Sequence, residues 1–185
     1  MMAHASAMTS PAYKTAIMPT LYFAYGSNLS LHQMRERCPS STYVGVGILR
    51  GWTWIISARG YANLVAAPSS EVGTCNNLIY GLVYELPPQD ESRLDGYEGV
   101  PWDYTKEWHP IELWEQKTGA SSKPLVTSGT MMQALVYIDR IRVKEDQPKK
   151  EYIGRMRRGI FEAAQKGIPM EWMEAVMGQF LPLKD

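Results

Sequence analysis

Tyr22-Phe23-Ala24-Tyr25-Gly26-Ser27-Asn28-Leu29 is the stretch on which the reading of this chain turns. The apolar run from Leu21 to Tyr25 predicts a buried strand, and Gly26-Ser27-Asn28 stops it in a small polar turn. Ser30 stands where an N-cap is wanted, ahead of a short helix that carries Leu31, Met34 and Cys38 and ends at Pro39. A strand end followed at once by a helix start exposes backbone N–H groups, which suit a carboxylate or a developing oxyanion. Tyr22 and Tyr25 fall on opposite faces of an ideal strand, so the bend at Gly26 decides which hydroxyl reaches a cleft.

Working outward, Val44, Val46 and Ile48 alternate, as do Trp52, Trp54 and Ile56, with Gly51 between them where a turn needs freedom in φ. Leu64 to Ala67 is a further short apolar run. Leu78, Tyr80, Leu82, Tyr84 and Leu86 then alternate over a long strand that Pro87-Pro88 terminates. The Pro pair opens a short helix from Gln89 to Leu94, whose end at Asp95-Gly96 is expected to deliver Glu98 into a turn. Strand patterns over 104–114 and 132–139 flank a Gly, Ser, Thr and Lys-rich connection, 116–130, read as a solvated hairpin loop with an active-site lid as the lesser alternative. Behind Pro148 and again behind Pro169 the period becomes helical, through Tyr152, Met156, Ile160 and Ala163 and then Met173, Val176, Met177 and Phe180. Strands first and helices last, without regular alternation, predict an α+β domain with a mixed, barrel-like sheet.

At 185 residues and 45% hydrophobic, the chain suits one domain with a substantial core. We read residues 1–19 as a flexible tail and 20–185 as the folded domain. Nineteen basic and nineteen acidic residues cancel, so no global field favours nucleic acid or an anionic membrane. The one basic run, from Arg140 to Arg158, holds Tyr152 as its lone aromatic and reads as a solvated helix face rather than a base-stacking surface. Cys38 and Cys75 lack paired spacing, and His4, His32 and His109 form no metal-binding motif, so neither a disulfide scaffold nor a metal centre is expected. With no apolar run of membrane-spanning length and no signal-peptide pattern, the expectation is a soluble, cytosolic protein.

Glu98 is the candidate base. A turn glutamate is ordinarily exposed, but Tyr97, Val100, Trp102 and Tyr104 give this one an aromatic escort. Partial burial raises a glutamate pKa from about 4.3 towards neutrality, where a general base is useful.

Phe23 to Leu29 together with Leu94-Asp95-Gly96-Tyr97-Glu98-Gly99-Val100 resembles the γ-glutamylcyclotransferase (AIG2-like) family, with its tyrosine-glycine-serine-asparagine signature and its acid-bearing segment. The resemblance extends through Gly81-Leu82-Val83-Tyr84 to Tyr104 and Tyr152, and so covers about residues 20–181. It implies a cofactor-free enzyme that closes a γ-glutamyl amide on itself to 5-oxoproline, with Glu98 as acid and base. It further implies that Tyr22, Phe23, Ala24, Tyr25, Gly26, Ser27, Asn28, Tyr104 and Tyr152 bind a small γ-glutamyl substrate. A ligand-binding protein of the same fold without turnover is the alternative. Two departures, Pro101-Trp102-Asp103 after the acid and Trp172 near the C-terminus, suggest a leaving-group pocket enlarged by Trp102 and Trp172 for bulky acceptors such as glutathione conjugates of a metabolite.

Overall fold

The computed structural model describes residues 18–68, 77–115 and 129–181. The tail and most of the 116–130 connection lie outside these residues. Five strands close a barrel: β1 (Thr20–Ala24), β2 (Thr42–Arg50), β5 (Leu78–Leu86), β6 (Thr105–Glu115) and β7 (Thr130–Ile138), in the order β1-β5-β2-β6-β7. Neighbours run antiparallel except where β1 meets β7, a parallel contact at Tyr22 and Leu135 that closes the sheet. A separate hairpin, β3 (Trp52–Ile56) and β4 (Ala62–Ala66), leaves β2 at Gly51, whose φ of 82° supplies the turn.

Phe23 explains how β1 sits in the barrel. Gly47 of β2 and Gly81 of β5 are partners in the ladder, and a methyl group on either would come within 2.9 Å of the Phe23 ring. Two paired glycines thus open a notch that one aromatic ring fills, and Phe23 and Ala24 are fully buried.

The helices hold the ends of this barrel. Ser30 caps α1 (Leu31–Arg37) as expected, its hydroxyl accepting from the Gln33 N–H at 3.2 Å. Helix α2 covers Pro88–Glu98, one turn beyond the sequence expectation, so Glu98 is its last helical residue rather than part of a turn. Gly96 does not stop the helix; Gly99 does, with φ 66° in the left-handed region and its N–H returned to Asp95 and Gly96. Helix α3 (Lys150–Gln165) crosses the turn after β1, where Gly159 permits close approach to Leu29 and Ser30. There Glu162 accepts from the Ser30 hydroxyl and the His32 N–H, both at 3.0 Å. Helix α4 (Met170–Val176) completes the core through Trp172, Met173 and Val176.

Candidate active site

The residues after β1 form a single 3-10 turn, Ser27–Leu29, and its side chains build the floor of a cleft of about 190 Å³. Asn28 is the hub. Its amide nitrogen donates to the Tyr22 hydroxyl at 2.9 Å and to the Glu98 carboxylate at 3.0 Å. Its amide oxygen accepts from Gln33 Nε2 at 2.8 Å and Arg37 Nη1 at 3.1 Å. Both donors and both lone pairs are thereby used, which fixes the amide orientation.

Glu98 reaches the cleft because Gly99 ends α2 directly behind it. One turn earlier Asp95 ties the helix to the barrel, accepting from the Tyr137 hydroxyl at 2.7 Å and from Lys106 at 3.0 Å. The Glu98 side chain keeps 17% exposure and has Arg37 at 3.6 Å. Burial raises its pKa above the ordinary glutamate value, with Arg37, Asn28, Arg59 and Arg155 opposing that rise. A carboxyl held in this way is poised to exchange protons nearer neutrality than an exposed one.

Tyr22, Tyr25, Tyr104 and Tyr152 are among the tyrosines that line the walls. Tyr25 donates to the Tyr137 carbonyl at 2.5 Å and Tyr104 to the Ala62 carbonyl at 2.8 Å. Tyr152 of α3 has a different duty, since its hydroxyl accepts from the Ser27 N–H at 3.2 Å and the Ala62 N–H at 3.3 Å. The backbone cradle read from Gly26-Ser27-Asn28 is therefore partly occupied by the protein's own phenol. With its lone pairs engaged, the Tyr152 hydroxyl is left as an oriented donor. Burial pushes its pKa up to about 12, and burial together with the charge of Glu98 holds Tyr22, Tyr25 and Tyr104 well above the ordinary phenol value, so all four stay neutral.

Of the residues singled out from sequence, Tyr22, Tyr25, Gly26, Ser27, Asn28, Glu98, Tyr104 and Tyr152 share this cleft. Phe23 and Ala24 do not, because they fill the barrel interior. Trp102 and Trp172 do not either. Trp102 and Asp103 both donate backbone N–H groups to the Gly99 carbonyl, a tight turn that leaves Trp102 82% exposed. The Trp172 indole, on the buried face of α4, donates to the Leu78 carbonyl at 2.8 Å and packs edge-on to Tyr80. The basic run disperses into pairs, Arg140 with Glu107, Arg142 with Asp139 and Arg155 with Glu151.

Sequence reading missed Arg37, Arg59, Tyr61, Ala62, Tyr137 and Arg155 as cleft residues, and took Tyr97 only as an escort of Glu98 although it too lines the cleft. Arg155 carried a usable signal, lying three residues after Tyr152 and so on the same helix face. Arg59, in the β3–β4 turn, carried none, since its approach depends on where the hairpin folds. Among the described residues no three His, Cys, Asp or Glu side chains cluster as a metal site would require, and no helix is long and apolar enough to cross a membrane.

The sequence profile described as "Gamma-glutamyl cyclotransferase, AIG2-like" matches residues 22–154, from the first tyrosine of the cleft past Tyr152. The chain belongs to this family. Among curated proteins none matches. Solved structures share the fold at low identity. One titled "Gamma-glutamyl cyclotransferase" has a TM-score of 0.66 at 20% identity over 85% of this chain and 86% of its own. An uncharacterised protein from Homo sapiens gives 0.66 at 20% identity over 87% and 88%. A γ-glutamyl cyclotransferase titled as specific to glutathione, from yeast, gives 0.55 at 14% identity over 91% and 98%.

Proposed function

We propose that this chain is an active γ-glutamyl cyclotransferase and that Glu98 is its acid and base. The observation that carries the reading is a carboxyl of raised pKa at the end of α2, held by Asn28 and facing the tyrosine-lined turn of the family signature. A γ-glutamyl amide bound with its α-amine against Glu98 gives up an ammonium proton to the carboxylate. The freed amine attacks the γ-carbonyl carbon, forming a five-membered tetrahedral species whose negative oxygen takes a hydrogen bond from a neutral donor of the cleft. Glu98 then returns the proton to the leaving nitrogen as the amide bond breaks. The carboxylate so regenerated takes the second proton from the attacking nitrogen, now in the ring, and passes it to the departing amine, releasing 5-oxoproline with a neutral ring and a protonated amine. Nucleophile and carbonyl belong to one molecule, and well-oriented systems of this kind reach effective molarities on the order of 10⁵ to 10⁸ M.

We place the substrate among γ-glutamyl amino acids, peptides or amines. Glutathione conjugates of a metabolite remain within that class, but the two tryptophans that suggested them lie outside the cleft.

The test is 5-oxoproline release from γ-glutamyl-alanine and glutathione by the purified chain and by Glu98→Gln. The wild type should turn over at least one of them. The variant should lose about 10²- to 10⁴-fold, the share typical of acid–base catalysis, while still binding. Binding without release by the wild type would assign the cleft to ligand capture instead.

A further inference from the structure

The cleft is richer in positive charge than proton transfer requires. Arg37, Arg59 and Arg155 line it against Glu98 alone. Arg37 is in ion-pair contact with Glu98 and hydrogen-bonded to Asn28, so it belongs to the reacting end. Arg59 and Arg155 act on Glu98 through their field, and both guanidinium groups gather about one ring, that of Tyr61, at 5.5 and 5.8 Å from its centroid.

Arg59 is held firmly but incompletely. Its Nη2 donates to Asp103 at 2.7 Å, and its guanidinium lies 5.3 Å from the centroid of the Tyr104 ring. Its Nη1 is buried and has no hydrogen-bond partner. A desolvated guanidinium N–H with no acceptor is costly to keep, and a ligand carboxylate is the group whose planar fork matches it. Arg155 adds a second guanidinium across Tyr61, stacked at 5.1 Å on Tyr152 and braced by Glu151.

We propose that Arg59 and Arg155 form a subsite for a carboxylate on the leaving group, which selects γ-glutamyl amino acids and peptides over γ-glutamyl amines. This rests on the cyclotransferase reading. The α-carboxylate of the glutamyl head shares a carbon with the attacking amine and so stays near Glu98, Asn28 and Arg37. The acceptor projects past the scissile bond, towards the wall of Tyr61. An amino acid acceptor carries a second carboxylate there, whereas a simple amine leaves the Arg59 N–H desolvated and unpaired.

A matched pair of substrates isolates that one group: γ-glutamyl-alanine and γ-glutamyl-ethylamide, which differ by the acceptor carboxylate alone. The wild type should favour the alanine compound in kcat/KM by about 10- to 100-fold, the range for a hydrogen-bonded charge pair. Arg59→Gln and Arg155→Gln should each lower turnover of both substrates through the lost field on Glu98, but should cost the alanine compound about 10-fold more than the ethylamide, so that most of the preference disappears, and Arg59→Lys should restore part of it. Equal losses on both substrates, or a wild type that prefers the ethylamide, would overturn the subsite. If the wild type releases 5-oxoproline from neither, the catalytic reading fails separately, and the subsite is then read by thermal shift. Stabilisation by γ-glutamyl-alanine but not by the ethylamide, abolished in R155Q, supports it, and equal shifts overturn it.

Discussion

Tyr152 shows how a residue marked by its motif can do something other than what the motif suggests. Its hydroxyl fills the backbone cradle at Ser27 and Ala62, so it supports the turn and the β3–β4 hairpin before it meets any ligand. Tyr152→Phe should therefore cost stability as well as activity. Two buried N–H groups lose their acceptor, at about 1 to 3 kcal/mol each before any water enters the cleft. A drop in Tm is the expected outcome, and an unchanged Tm with altered kinetics would show that the hydroxyl serves only the ligand. Asn28 permits the complementary experiment. Asn28→Asp is nearly isosteric but replaces the donor facing Glu98 at 3.0 Å with a second carboxylate. Like charge raises the Glu98 pKa further. The acid limb of kcat/KM should move to higher pH and turnover should fall, by more than an exposed Asn→Asp substitution elsewhere would cause. An unmoved limb would separate Asn28 from the base.

Element by element, what was legible in the sequence is what local physics decides. Alternating residues gave β2, β3 and β5, Ser30 gave the start of α1, and Pro169 gave that of α4. The last turn of α2 was not legible because two glycines, Gly96 and Gly99, compete as stops. Only packing decides between them: Asp95 is bound by Tyr137 and Lys106, which keeps the helix wound through Gly96. Tyr22, Asn28 and Glu98 could be read from their segments, whereas Arg37 and Arg59 enter the site through tertiary placement of α1 and the hairpin. Adjacency of Trp102 to Glu98 in sequence said nothing about the turn that throws it outward, and nothing near Trp172 in sequence announced its bond to the Leu78 carbonyl. The β2–β5 ladder carries its own test. Gly81→Ala would place a methyl group 2.5 Å from the Ala24 carbonyl and 2.6 Å from the Phe23 ring. Neither can retreat, because β1 is pinned between β5 and β7. We expect a loss of about 1 to 3 kcal/mol, typical of overpacking, together with weaker substrate binding as the strand leading to Gly26 shifts. A melting temperature equal to or above wild type would mean that the notch is looser than its geometry states.

For the molecule as a whole, two sets of carboxyls pull the pH dependence of stability in opposite directions. Glu107 has its pKa lowered chiefly by hydrogen bonds from Arg140. Glu91 and Asp139 are lowered too: burial opposes this, but the partners, Lys106 and Thr20 for one and Arg142 and Ile141 for the other, prevail. What these three contribute is complete above their ordinary values, 4.5 for the glutamates and 3.8 for the aspartate, and is lost as pH falls through the lower folded values. Glu98 works the other way. Burial raises its folded pKa, so its contribution is complete below 4.5 and drains away as pH rises to the folded value, above which the fold must carry a buried charge. Glu98→Gln removes that second term and keeps an acceptor for the Asn28 amide. The variant and the wild type should therefore melt together in acid, where both side chains are neutral, and share the same acid denaturation. As pH rises beyond 4.5 the variant should become progressively the more stable, until the wild-type carboxyl is fully ionised and the gap levels off. The pH at which it levels should coincide with the completed acid limb of kcat/KM, because both report ionisation of one carboxyl in the free protein. Melting curves across this range, set beside the 5-oxoproline rate profile, check the link. A gap that is constant with pH would mean that Glu98 titrates as an ordinary surface acid, and would remove it as the base.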